Sequence, residues 1–131
     1  MDKAIYFKTS IFDVSNEKEN PINPIYGYTL LEWLRDRLKD KIKITDPDAE
    51  DWGWYSELEY LGNNYLIGAC TYFEQGDDSA EEQEWVFQIE KHRSITEKLF
   101  GKNKMNTEDA CFQFFKEVFE RHPEIKEIEV G

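Results

Sequence analysis

An α+β fold is predicted by three features of the sequence. Segments at 4–12, 52–61, 64–74 and 84–91 alternate apolar and polar residues or run apolar between turn signals, as strands do. Two longer segments, 29–41 and 107–121, repeat apolar residues every three or four positions, as helices do. The connections within 52–91 are short, which makes that part an antiparallel meander. With a last strand in "EIKEIEV", the order is β-α-β-β-β-α-β. It describes a two-layer sandwich in which a mainly antiparallel sheet carries two long helices on one face. The 131 residues suit a single domain, 1–131.

In the first strand Ile5, Phe7 and Ile11 share one face, and Tyr6, Lys8 and Ser10 the other. Residues 13–27, rich in Pro, Asn and charge, read as a loop. Thr29 and Glu32 have the spacing of a capping box, with Tyr28 and Trp33 at the staple positions. Leu30, Leu31, Leu34, Leu38 and Ile42 form the apolar stripe of this helix, which ends near Lys41. Gly62-Asn63-Asn64 reads as the hairpin turn of the meander, and "QGDDSAEEQ" as the turn after it.

Ser94 and Glu97 form another capping box, opening a short helix that stops at Gly101. Cys111, Phe114, Phe115, Val118, Phe119 and His122 make the core face of the last long helix, which Pro123 ends.

The net charge of −12 is unevenly distributed. Between Ile44 and Glu90 there is no Lys or Arg, while 13 acids lie there. Such a segment repels phosphates and anionic membranes and attracts cationic surfaces, so direct nucleic-acid or membrane binding is disfavoured. No leader-like apolar segment opens the chain and Cys70 and Cys111 are isolated thiols, which is the profile of a cytoplasmic protein.

The stretch "EDWGWYSELEY", Glu50 to Tyr60, sets two tryptophans among carboxylates. Strand alternation turns Trp52, Trp54, Leu58 and Tyr60 toward the helices, with Gly53 marking a bulge or a close backbone approach. The opposite, helix-free face then carries Glu57, Glu59, Glu84 and Glu90, with Tyr55, Tyr65 and Phe73 among them. Carboxylates interleaved with aromatic rings suit a basic protein partner. The expected docking residues are Tyr55, Glu57, Glu59, Glu84 and Glu90, with Asp77 and Asp78 in the adjoining turn.

Motifs for chemistry are sparse. His122 sits at a helix C-terminus, where an imidazolium complements the dipole, and no nucleophile motif accompanies His92. There is no CxxC, HxxxH or HExxH, so neither a metal nor a cofactor is expected. "GDDSAEEQE" has oxygen ligands but no EF-hand spacing, and reads as a charged turn. A small-ligand or enzymatic site around Asp51, Trp52, Trp54 and His92 stands as an alternative. A DNA mimic is another alternative, requiring carboxylates spaced like phosphates.

The first helix, the acidic loop, Glu50 to Trp54, the hairpin and the Phe-rich last helix together resemble small bacterial proteins that carry a D-W-G-W element after their first helix. That resemblance implies no activity and lends no catalytic residues. In size and charge the chain is also similar to small acidic domains that neutralise basic toxins. The expectation is therefore a non-enzymatic, immunity- or inhibitor-like binding module, monomeric or homodimeric.

Overall fold

A computed structural model describes residues 3–71 and 82–131. Among these, six strands form one antiparallel sheet: β1 (Lys3–Thr9), β2 (Asp48–Glu50), β3 (Gly53–Tyr60), β4 (Asn63–Thr71), β5 (Gln83–Lys91) and β6 (Lys126–Val130). Their spatial order is β2-β3-β4-β5-β1-β6. Helices α1 (Tyr28–Leu38) and α3 (Ala110–Glu120) are long, and α2 (Ile95–Leu99) is a single short turn. The fold is α+β, as the periodicities predict.

The alternating strands sort their side chains by face. Ile5 and Phe7 of β1, Trp54 and Leu58 of β3, Ile67 and Ala69 of β4, and Trp85, Phe87 and Ile89 of β5 are buried. Leu30, Leu31, Leu34 and Leu38 of α1 cover this face beside Cys111, Phe112, Phe115 and Phe119 of α3. Phe119 meets Phe7 and Phe87 at ring-centroid distances of 4.8 and 5.1 Å, and Phe115 meets Phe87 at 5.0 Å. Each ring removed from water contributes on the order of 2–3 kcal/mol, so this aromatic seam dominates the core. Phe112 is fully buried although it lies outside the predicted stripe, while Phe114 and Val118 within it are only partly covered.

Several local expectations give way to tertiary contacts. The helix α1 starts at Tyr28, and Gly27 is its N-cap, with no capping side chain of its own. Glu17, ten residues upstream, does the capping. Its carboxylate accepts from the Gly27 and Thr29 amides at 3.0 and 2.6 Å and from the Thr29 hydroxyl at 3.1 Å. Thr29 therefore donates to Glu17 instead of forming the predicted box. Nor do Tyr28 and Trp33 form a staple: Tyr28 stacks edge-on to Trp54, and Trp33 to Phe12 and His122. The helix ends at Leu38, three residues before the predicted end. Its carbonyl there takes both the Lys41 and Ile42 amides.

The hairpin turn between β3 and β4 is Leu61-Gly62, not Gly62-Asn63-Asn64. Tyr60 pairs with Asn63, and both turn residues have positive φ, 49° and 82°. The short strand β2, which lacks any alternating signal, exists because "DAE" folds back on the outer edge of β3. The Ser94 capping box is present in full. Asp109, not Thr107, opens α3, its carboxylate accepting from the Cys111 and Phe112 amides.

Candidate functional site

The register across the sheet assembles the helix-free face row by row. Asp48, Tyr55, Gly68 and Gln88 lie side by side on β2 to β5. In the next row Glu57 and Glu90 flank Leu66. Glu59 stands opposite Asn64, whose carbonyl accepts the His92 amide at 2.9 Å. Tyr65 is not on this face. It pairs with Leu58, is 2 % exposed, and points beneath the helices. Alternation around the corrected turn requires this, since Leu66 and not Tyr65 shares the side of Glu57.

The acids fall into two groups that differ in compensation. Glu84 lies at the start of β5, roughly 20 Å from Glu90 at about 3.3 Å per residue. Lys8 on the neighbouring β1 reaches it at 3.7 Å and also Glu127 at 3.1 Å, while Lys126 pairs with Glu82. That end of the sheet is a mixed-charge ladder. In contrast, none of Asp48, Glu50, Glu57, Glu59 and Glu90 enters an ion pair among the described residues. The field they make is felt by Tyr55. Its phenol is held above its ordinary value, first by Asp48, then by burial, Glu57 and Glu50. Asp77 and Asp78 lie outside the described residues, as does Phe73.

Between the two groups runs a half-buried apolar strip of Leu66, Cys70 and Val86, with the more exposed Tyr6 beyond it. Cys70 is on this face and Cys111 is on the buried side of α3 across the sheet, both as free thiols, so the sheet separates them. Burial pushes both thiols up, and neither is poised as a nucleophile.

The structure does not bring Asp51, Trp52, Trp54 and His92 together. Trp54 is 2 % exposed and fills the core against Tyr28 at 5.0 Å. Asp51 and Trp52 form the β2–β3 turn. His92 follows β5 at the other end of the sheet, roughly 17 Å from the level of Trp54 along the strands. The turn is clasped from the loop before α1. The buried Asn20 donates to the Glu50 and Gly53 carbonyls at 3.0 and 2.8 Å, and Asn23 donates to the Asp51 carbonyl at 2.8 Å. The "EDWGW" element is thus a fixed joint between loop and sheet. Asn20 and Asn23 in "NPIN" were the sequence's only sign of it, and they read there as plain loop residues.

One buried polar cluster was not foreseen. Lys91 Nζ lies 3.0 Å from Asp109 Oδ2, with the two side chains 9 % and 4 % exposed. The Tyr65 hydroxyl donates to the same carboxylate at 2.9 Å. The cluster floors a shallow cleft of about 560 Å³ lined also by Asn63, Asn103 and Lys104. Its carboxylate is already engaged by the lysine, the phenol and two helix amides, so it acts as a clamp joining α3 to the sheet. A shallow groove of about 660 Å³ lies beside it, where Lys41 and Lys43 border Glu57, Glu59 and His92.

Among the described residues no three His, Cys, Asp or Glu side chains come together to hold a metal ion, and no helix is long and apolar enough to cross a membrane. No family model, curated protein or solved structure matches the chain.

Proposed function

We propose that the chain is a non-enzymatic protein-binding module that receives a basic protein surface on its helix-free sheet face, as an immunity or inhibitor protein does. The observation that carries this reading is the group Asp48, Glu50, Glu57, Glu59 and Glu90. These five carboxylates stand around Tyr55 and Leu66 on hydrogen-bonded strands, with no ion pair among the described residues. Like charges held close on a rigid sheet repel one another, and cations from a partner relieve that repulsion. Tyr55 and Leu66 supply the apolar contact such a surface needs at its centre.

The test is affinity purification with the whole chain as bait, followed by mass spectrometry, at about 0.05 M and about 0.5 M salt. A partner with a basic surface is retained at low salt and lost at high salt. It is also lost from bait carrying Glu57→Lys, Glu59→Lys and Glu90→Lys. Glu84→Lys, already offset by Lys8, serves as the milder control. A partner retained equally by the triple variant and at high salt defeats the reading.

A further inference from the structure

The end of the molecule beyond β5 has the opposite character to the acidic face. No residue of α2 is buried, and Ile95, Leu99 and Phe100 are 78 %, 75 % and 71 % exposed. With Leu61 on the nearby hairpin they are the most exposed large apolar side chains among the described residues. Ile95 and Leu99 lie four positions apart and share one side of the turn. Arg93, Lys98, Lys102 and Lys104 lie among and just beyond them in the chain. The one acid between residues 93 and 104, Glu97, is engaged in the capping box.

This projection is held in place. The Arg93 guanidinium donates to the Lys102 carbonyl at 3.1 Å, the Lys102 amide to the Glu97 carbonyl at 2.8 Å, and Asn103 to Asn63 on the hairpin at 3.0 Å. A fixed apolar group in a basic segment leaves little ordering entropy to be lost on docking.

We infer that this basic, apolar projection docks on the Glu57–Leu66–Glu90 surface of a second copy of the chain, forming a two-fold dimer. The inference rests on the same acidic face as the function proposed above. Charge complementarity selects the occupant, since an apolar centre rimmed by carboxylates is what the projection fits, and this chain carries one. The arrangement also permits closure. The segment leaves β5 directly after Glu90 and Lys91, so projection and acidic surface are neighbours on one copy. A two-fold rotation then sets each projection over the other copy's acids, giving two identical contacts. A stable interface needs about 800 Å² per copy, about a tenth of the chain's surface of 7836 Å². The two net charges of −12 repel at long range, but at physiological salt screening over about 8 Å leaves the interfacial pairs to decide.

Sedimentation velocity of the purified full-length chain from about 1 to about 500 µM tests this, with a concentration-dependent dimer expected. Leu99→Ser with Phe100→Ser weakens the dimer at least about tenfold while far-ultraviolet circular dichroism stays unchanged. The decisive arm uses two charge-swapped chains, one carrying Lys98→Glu and Lys102→Glu, the other Glu57→Lys and Glu90→Lys. Each is monomeric alone, and their mixture restores the dimer, since both of its contacts are again complementary. A wild-type chain monomeric throughout the range overturns the inference, as does a dimer indifferent to both sets. Binding to phosphatidylserine vesicles without a dimer also overturns it, assigning the projection to a lipid surface. Loss of the dimer with salt-sensitive partner capture intact leaves the proposed function standing alone. Capture lost from the acidic-face variants but not from Leu99→Ser with Phe100→Ser separates the two uses of that face.

Discussion

Asp109 and Lys91 meet at 3.0 Å beneath the surface, and the same carboxylate that holds the lysine also starts α3. Removing the acid therefore does three things at once: it takes a carboxylate from the buried Lys91 ammonium, frees the Tyr65 hydroxyl and uncaps a helix. Asp109→Ala is expected to cost about 3–5 kcal/mol in urea unfolding, because one substitution breaks a buried ion pair and removes the cap of α3. Lys91→Met, which leaves the carboxylate its phenol and amide donors, costs less. Burial pushes the Asp109 carboxyl up, but Lys91, the Phe112 amide and Tyr65 hold it below its ordinary value on balance. A depressed carboxylate contributes stability above its unfolded value, and that contribution is lost as pH falls through the folded one. The wild-type chain loses stability in acid more steeply than Asp109→Asn.

Glu17 has the opposite sign. Burial outweighs its hydrogen bonds and its carboxyl is pushed up to about 7 from an ordinary 4.5. Between those values the folded chain holds the proton more tightly than the unfolded chain, so stability falls as pH rises from about 4.5 to about 7. The change is on the order of 1–3 kcal/mol. Glu17→Gln removes this slope while keeping an acceptor for the Gly27 and Thr29 amides. Urea midpoints at pH 5 and pH 8 that differ by as much in the variant as in the wild type contradict it.

Gly53 has a φ of +148°, and a Cβ there would lie 2.4 Å from the Ala69 carbonyl oxygen. At Gly62, with φ of +82°, a Cβ would meet nothing within 4 Å. Gly53→Ala is therefore expected to cost more than about 2 kcal/mol and Gly62→Ala about 1 kcal/mol, since only the first adds collision to backbone strain. Equal losses in thermal unfolding would show that backbone conformation alone matters.

Leu61 adopts a φ of 49° at the first position of the β3–β4 turn and leaves its side chain in water. A γ-branched residue is poorly suited to that conformation, which asparagine tolerates through its short polar side chain. Leu61→Asn is expected to stabilise the hairpin by about 0.5–1 kcal/mol, read as a higher urea midpoint with unchanged slope.

Ser56 is fully buried, and its hydroxyl has no hydrogen-bond partner among the described residues. An unsatisfied hydroxyl in such a place costs about 1–3 kcal/mol, so Ser56→Ala should raise stability or leave it unchanged. A drop of more than about 1 kcal/mol would mean that the hydroxyl is satisfied in solution.

Much of the architecture was written in local periods. The alternation through Trp54, Leu58, Trp85 and Phe87 put rings on one side of the strands and Glu57, Glu59, Glu84 and Glu90 on the other. That segregation is what the sheet displays. Boundaries that depend on a distant partner were less legible. Thr29 has the spacing of a cap, yet Glu17 supplies the carboxylate. Trp52 is in phase with Trp54, yet it belongs to a turn clasped by Asn20 and Asn23. Asp109 before "ACFQFF" has an N-cap side chain that the 107–121 expectation passed over, and nothing nearby marked Lys91 as its partner.

The sequence by itself determined the two layers, the inward rings and the outward acids, because side-chain direction along a strand or helix follows from backbone geometry within a few residues. Only the tertiary structure decided which acids stand unpaired. By inserting β1 between β5 and β6 it brought Lys8 to Glu84, and among the described residues no cation came within ion-pairing distance of Glu57 and Glu90. Strand order depends on which distant segments close on one another, a choice made by packing across the whole chain that no local pattern records.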